Sequence, residues 1–149
     1  MNLTEILEES NIFLDFRAET REEVLKKLAS GLMPEKGEAV YDLLNEREQI
    51  MSTAVAPGFA IPHCHTELAD HFYVGLAVSK EGVEFNSLNK QKINVLVIII
   101  APKKEINKYL SLLSHTSRIF SHHQIIDDIL GATGKAEILE ILKRYEELR

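Results

Sequence analysis

The segment Gly58-Phe59-Ala60-Ile61-Pro62-His63-Cys64-His65 ends in two imidazoles that flank a thiol. Such a cluster admits three chemistries: metal ligation, a thiol–imidazole nucleophile, or one histidine that carries a transferred group. For a metal, His63, Cys64 and His65 offer three ligands, with His71 close in sequence. Structural zinc usually draws four ligands from two separated pairs, and the chain has neither a second Cys/His pair nor an HExxH motif. Side chains alternate along an extended segment, so Cys64 is expected to face away from both histidines. That alternation also works against a Cys64 nucleophile, which needs an imidazole base and a third, orienting group. A small, part-buried residue in a turn is the plainer reading of Cys64. The third chemistry rests on His63. Pro62 fixes the approach of the chain and keeps Ile61 extended, while Gly58 permits a backbone geometry that other residues resist. The stretch reads as a stiff unit that presents one imidazole, and on these residues alone the alternatives stay open.

Other candidates are weaker. Gly131-Ala132-Thr133-Gly134-Lys135-Ala136 resembles a phosphate loop only faintly. It has two residues between its glycines where four are needed, Ala136 where Ser or Thr would hold magnesium, and a helix before it instead of a strand. His115 falls opposite the apolar face of its helix and is expected in solvent, as are His122 and His123 at a helix start. Arg47 reads as an exposed helix-end ion pair with Glu46 or Glu48, or as a planar donor for an oxyanion.

The elements that must position these groups follow from periodicity. Leu3, Ile6 and Leu7 suggest a short helix, then an extended Ile12–Phe16. Thr20 and Glu23 form a capping-box start for a helix carrying Val24, Leu25, Leu28 and Leu32 as far as Pro34. A second helix is expected from about Glu38 to Gln49, with Val40, Leu43 and Leu44 inward. Phe72, Val74, Leu76 and Val78 alternate as in a strand. Val83 and Phe85 suggest a short strand ahead of a turn at Asn86–Asn89, and Ile93–Ala101 a strand buried on both faces. Helical spacing returns with Ile106, Tyr109, Leu110, Leu113, Ser117 and Phe120 on one face. Ser121 and Gln124 are expected to cap a helix bearing Ile125, Ile126, Ile129 and Leu130, and Ile138, Leu139, Ile141 and Leu142 belong to a last one. This is the pattern of one α/β domain over residues 1–149, with helices packed on a mixed sheet.

Composition narrows the partners. The chain has 149 residues, 45% hydrophobic and 27% charged, which suits a single globular core. Seventeen basic and 23 acidic side chains give a net charge of −6, with no electrostatic reason to bind nucleic acid or an anionic membrane. The longest apolar run is too short to span a bilayer, and MNLTEILEES lacks the features of a signal peptide. With one cysteine there is no intramolecular disulfide, and a cytoplasmic location is expected.

Two blocks together carry a resemblance. Leu44-Asn45-Glu46-Arg47-Glu48-Gln49 with Ser52-Thr53, then Gly58-Phe59-Ala60-Ile61-Pro62-His63, resembles the signature of the fructose/mannitol-type enzyme IIA domains. These belong to the bacterial phosphoenolpyruvate-dependent sugar phosphotransferase system. The opening residues, Leu3 to Ala29, and the late helix Tyr109–Phe120 are similar too, so the resemblance covers nearly the whole chain. It implies a three-layer α/β/α sandwich with a central mixed sheet, and no cofactor or metal. His63 would accept a phosphoryl group from the phosphohistidine of HPr or a related carrier and pass it to a cysteine of an enzyme IIB domain.

The alternative within the family is a free-standing, nitrogen-type regulator whose partner binding follows the phosphorylation of His63. A chain ending at Arg149 is expected to meet IIB and membrane components in trans, and a homodimer would be unsurprising. The resemblance also implies roles for neighbours. Arg47 and Thr53 would stabilise the phosphoryl group, with backbone N–H groups near Gly58 approaching the anion. Tyr109 stands at the family's second-histidine position, where it can donate a hydrogen bond but not act as a cation. Cys64 and His65 stand where the family commonly has small or basic residues.

Overall fold

The computed structural model describes residues 1–54, 56–85 and 91–148, so the expected Asn86–Asn89 turn lies outside the described residues. The elements that matter here are, in chain order, α1 (Leu3–Ile6), β1 (Ile12–Phe13), α2 (Arg21–Leu32), α3 (Gly37–Ile50), β2 (Phe59–Ala60), β3 (His63–Thr66), β4 (Tyr73–Val83), β5 (Ile93–Pro102), α4 (Ile106–Phe120), α5 (Gln124–Leu130) and α6 (Lys135–Glu146).

The β-branched run Ile93–Pro102 explains the architecture. As β5 it pairs antiparallel with β4 on one side and parallel with β2 and then β3 on the other, while β1 runs parallel to β4 at the far edge. A strand with partners on both edges can be apolar on both faces only if both are covered. Val95, Val97 and Ile99 point into the core shared with α1, α4, α5 and α6. Leu96, Ile98 and Ile100 point into the core shared with α2 and α3. The result is a three-layer α/β/α sandwich on a mixed, five-stranded sheet. Each of these fully buried side chains contributes on the order of 1.5–3 kcal/mol, which makes β5 the principal anchor of both cores.

Several local expectations are corrected. The first strand spans only Ile12–Phe13, because Asp15 adopts a left-handed φ of 54° that turns the chain before Phe16 bonds back to Val78. Val83 continues β4 across a bulge instead of starting a new strand. The bulge is carried by Gly82 at φ 83°, where an added Cβ would meet the Lys92 Cβ at 2.7 Å. Thr20 accepts from the Glu23 N–H as expected, but Glu23 reaches back to the N–H of Glu19. Ser121 donates to the Arg118 carbonyl, closing α4 instead of capping α5.

The packing face of α4 is also rotated from the expected one. Tyr109, Leu112, Thr116, Ile119 and Phe120 are buried, whereas Ile106, Leu110 and Ser117 are exposed. Both stripes have helical spacing; the one that wins puts Phe120 flat against Phe59, with ring centroids 4.0 Å apart. This rotation carries His115 out of solvent. Its Nε2 donates to Glu146 at 2.9 Å, and Arg118 donates to its Nδ1 at 3.3 Å. The Glu146 side chain, 4% exposed, also accepts from the backbone N–H and hydroxyl of Thr4. One carboxylate thus ties together α1, α4 and α6.

Burial raises the affinity of Glu146 for a proton, but the bonds from Thr4 and His115 outweigh it and leave the carboxyl below its ordinary range. A depressed carboxyl adds stability above its unfolded pKa and loses it as pH falls through the folded value. Glu146→Ala is therefore expected to cost about 2 kcal/mol, lowering Tm by roughly 4–8 °C at pH 7. The gap from wild type should shrink in acid. Thermal unfolding at pH 7 and pH 3.5 checks both; an equal gap at the two pH values would refute the charged-carboxylate account.

Candidate active site

The site begins with a broken strand. β2 and β3 lie along the same side of β5, in registers Phe59↔Val95 and His63↔Ile99. They form one strand path interrupted at Ile61-Pro62. Proline has no N–H for the ladder, so the pairing fails there and resumes when Ile99 donates to the Pro62 carbonyl at 3.1 Å. The interruption releases both polar groups of Ile61. Its N–H donates to the Thr53 carbonyl at 3.1 Å, and its carbonyl faces Nδ1 of His63 at 2.5 Å.

A carbonyl only accepts, so Nδ1 carries the proton and Nε2 keeps its lone pair. His63 is 8% exposed. Burial lowers its proton affinity, the Ile61 bond opposes that shift, and the Arg47 charge adds to the lowering. The ring at neutral pH is an uncharged imidazole with one nucleophilic nitrogen.

Arg47 sits in the last turn of α3, half-buried, with Nη1 donating to the Met51 carbonyl at 3.2 Å. Among the described residues no carboxylate comes within ion-pair distance of it, so the Glu46 or Glu48 pairing does not form. Its charge is near enough to disfavour protonation of His63 and to favour ionisation of Tyr109. Tyr109, buried in the first turn of α4, holds its ring 6.0 Å from that of His63 and 5.2 Å from that of His65. Burial pushes the Tyr109 phenol up, which keeps it a neutral hydroxyl.

Thr53 differs from the free donor expected. It is 2% exposed, its N–H donates to Glu48 Oε2 at 3.0 Å, and its hydroxyl is hydrogen-bonded to Glu48 Oε1. Glu48 itself is 3% exposed. Burial raises its proton affinity, while the Thr53 bonds and the charges of Arg47 and Arg21 pull it down, with burial prevailing.

Sequence reasoning missed Glu48 as a buried group. The signal was its spacing, since Val40, Leu44 and Glu48 recur every four residues on the core face of α3. His65 shares the His63 face of β3, as the alternation implies, and its packing on Tyr109 is the part that sequence reasoning did not supply.

The remaining candidates lie elsewhere. Cys64 faces the α2–α3 core, where burial pushes its thiol up to about 12, so it offers no thiolate. His71 pairs with Asp70 at 2.7 Å and packs on Tyr73. Among the described residues no three His, Cys, Asp or Glu side chains converge as a metal site. Gly58, at φ 74°, completes the Ala56–Phe59 turn and gives its carbonyl to Asn94 and Val95. It sits five register steps from His63, about 16 Å along the strand, too far to cradle an anion there. Thr133 bonds to Glu137 at the start of α6, which uses the Gly131–Ala136 loop as a helix entry. His123 is exposed as expected, whereas His122 is half-buried with its ring 5.7 Å from that of Tyr145.

Residues 5–145 match the family model described as phosphoenolpyruvate-dependent sugar phosphotransferase system, EIIA 2. The fructose-specific EIIABC component of Bacillus subtilis is 26% identical over 152 residues, covering 99% of this chain and 24% of that protein. The chain thus spans about a quarter of that relative's length. The fructose-specific EIIA component of Haloferax volcanii is 30% identical over 110 residues, covering 74% of this chain and 71% of that one. Among solved structures, nitrogen regulatory protein IIA-Ntr from Neisseria meningitidis matches with a TM-score of 0.87 at 24% identity, over 94% of this chain and 98% of its own. The Escherichia coli complex of enzyme IIA mannitol with phosphorylated enzyme IIB mannitol gives 0.75 at 22% identity, over 93% and 99%. At these identities the structural likeness is one of fold. No helix among the described residues is long and apolar enough to cross a membrane.

The lowered proton affinity of His63 has a measurable sign. Its NMR titration midpoint is expected below about 6.5, the ordinary imidazole value. Because the folded state binds the proton less readily than the unfolded chain, His63 destabilises the fold as pH falls below that ordinary value. A midpoint at or above it would show that the ring is not held in the dry, Nδ1-bonded state described.

Proposed function

The chain belongs to the EIIA 2 family of the phosphoenolpyruvate-dependent sugar phosphotransferase system, and from that premise we propose that residues 1–149 act as one phosphocarrier module with His63 as the acceptor. The donor is the phosphohistidine of HPr or a related carrier. The onward acceptor is a cysteine of an enzyme IIB domain, in line with the IIA–IIB complex solved for the mannitol relative. The observation that carries this reading is the Nδ1–H bond to the Ile61 carbonyl, which leaves Nε2 of a neutral imidazole as the nucleophile.

The Nε2 lone pair attacks phosphorus in line with the donor N–P bond. That bond breaks as the new N–P bond forms, and its electron pair returns to the donor imidazole. Positive charge grows on the His63 ring as its lone pair is shared, and the Nδ1–H bond to Ile61 strengthens with it. On the product side, Nε2 carries a dianionic phosphoryl group with three acceptor oxygens. The free N–H groups of Arg47 and the Tyr109 hydroxyl are its donors. Thr53 contributes by holding Ile61 in place, and its hydroxyl reaches the anion only if Glu48 yields the bond. In the onward step an IIB thiolate attacks phosphorus, and the N–P electrons return to Nε2.

Incubation with phosphoenolpyruvate, enzyme I and HPr should yield one acid-labile, hydroxylamine-sensitive phosphoryl group per chain, detected by intact mass. His63→Ala should abolish it; equal labelling of that variant would refute the assignment. Arg47→Ala should slow phosphorylation about 10²-fold, with Arg47→Lys in between, because the lost group is a charged donor to the transferring phosphoryl. Tyr109→Phe should slow it by about tenfold or less, the loss of one neutral hydrogen bond.

A further inference from the structure

A buried carboxylate in the core stripe of α3 is unexpected on stability grounds, since Val40 and Leu44 occupy the preceding positions of that stripe. Burying an acid costs free energy that an apolar residue would not. What Glu48 does there is grip one residue at both of its available donors. Thr53 gives it the backbone N–H at 3.0 Å and the hydroxyl, so both carboxylate oxygens are used on the same neighbour.

Thr53 lies in the irregular stretch between α3 and β2, and its carbonyl accepts from Ile61. Ile61 in turn offers its carbonyl to Nδ1 of His63. Four residues therefore form an unbroken hydrogen-bonded chain, Glu48–Thr53–Ile61–His63, and every member is buried. Water has little access with which to substitute for a missing link, so a change at the carboxylate end is transmitted to the imidazole end as geometry.

Resting on the phosphocarrier reading, we propose that Glu48 is a positioning residue for His63, holding it through Thr53 and Ile61 in the Nδ1–H tautomer with Nε2 directed outward. In imidazole sites an orienting acceptor on the second ring nitrogen is commonly a carboxylate. Here a backbone carbonyl takes that place, and the carboxylate stands two links behind it. The arrangement keeps the carboxyl out of direct contact with a ring that, on that reading, carries a dianion.

The test uses the full chain labelled with 15N in its histidines. In wild type, the His63 ring is expected to show one protonated and one unprotonated nitrogen at pH 7.5, with the proton on Nδ1. Glu48→Gln keeps the side-chain volume but can accept from only one of the two Thr53 donors. It should move the His63 ring signals toward tautomer averaging and slow phosphorylation by HPr about tenfold or more, with little change in KM for the carrier. Thr53→Val removes only the hydroxyl link and should shift both readouts the same way to a smaller extent. If Glu48→Gln does not fold, Thr53→Val decides.

A folded variant with wild-type ring signals and a wild-type rate overturns the proposal, because a purely structural acid would alter neither. The ring signals are read on unphosphorylated protein. If wild type accepts no phosphoryl group, the phosphocarrier reading fails while the tautomer shift still reports on the chain. If wild type is phosphorylated and the variants leave the tautomer unmoved, only the role of Glu48 fails.

Discussion

The bond between Nδ1 of His63 and the Ile61 carbonyl is the contact on which the proposed phosphocarrier chemistry depends. It exists because a proline interrupts the edge of a sheet. In an unbroken strand, the polar groups of Ile61 would be available to the ladder; with Pro62 next to it they are free for other partners. The imidazole two residues on takes the carbonyl, and that choice decides the tautomer, the orientation of the ring and which nitrogen is left to react. A flexible histidine on the same surface would have its proton on either nitrogen and would spend part of its time turned away.

Everything around the site serves to keep that small geometry rigid. β5 is buried on both faces and pins β2 and β3 at fixed registers on either side of the break. The alternation of β3 sends His63 and His65 toward Tyr109 and sends Cys64 into the opposite core. Three neighbouring side chains that look like one metal cluster on paper are thereby divided between two layers. α3 delivers Arg47 and Glu48 from adjacent positions to different environments. Arg47 stays half-buried with its charge felt at His63, and Glu48 is buried against Thr53.

Much of this was legible in the sequence because it depends on local rules. The period of β5 announced a strand covered on both sides, the Thr20–Glu23 pair marked a helix start, and Pro62 announced a stiff approach to His63. What was not legible depends on choices between near-equal packings. The α4 segment carries two apolar stripes about one position apart, and only contact with Phe59 and β5 selects the one that buries Leu112 and Thr116 and exposes Leu110. His115 was misplaced with it, since its partner Glu146 on α6 becomes a neighbour only after that rotation. Thr53 was misread for a related reason. A hydroxyl in a motif suggests a ligand donor, and only the fold reveals a buried carboxylate that claims it first.

The electrostatics around His63 are compatible with the proposed carrier role. A net charge of −6 opposes a phosphate, so whatever holds the group must be local. The local set is one guanidinium, half-buried and already anchored at Met51, and one phenol kept neutral by burial. Such a set stabilises a dianion only moderately. A site with several buried cations would bind the phosphoryl group deeply and release it slowly, whereas a relay needs the group to be nearly as stable on its neighbour. The absence of a cation at position 109 fits that requirement, because a hydroxyl can stabilise the transferring oxygens without adding charge that must later be overcome. Under the proposed phosphocarrier role, modest donors around His63 suit a transfer site, with rigidity of the ring supplying what charge does not.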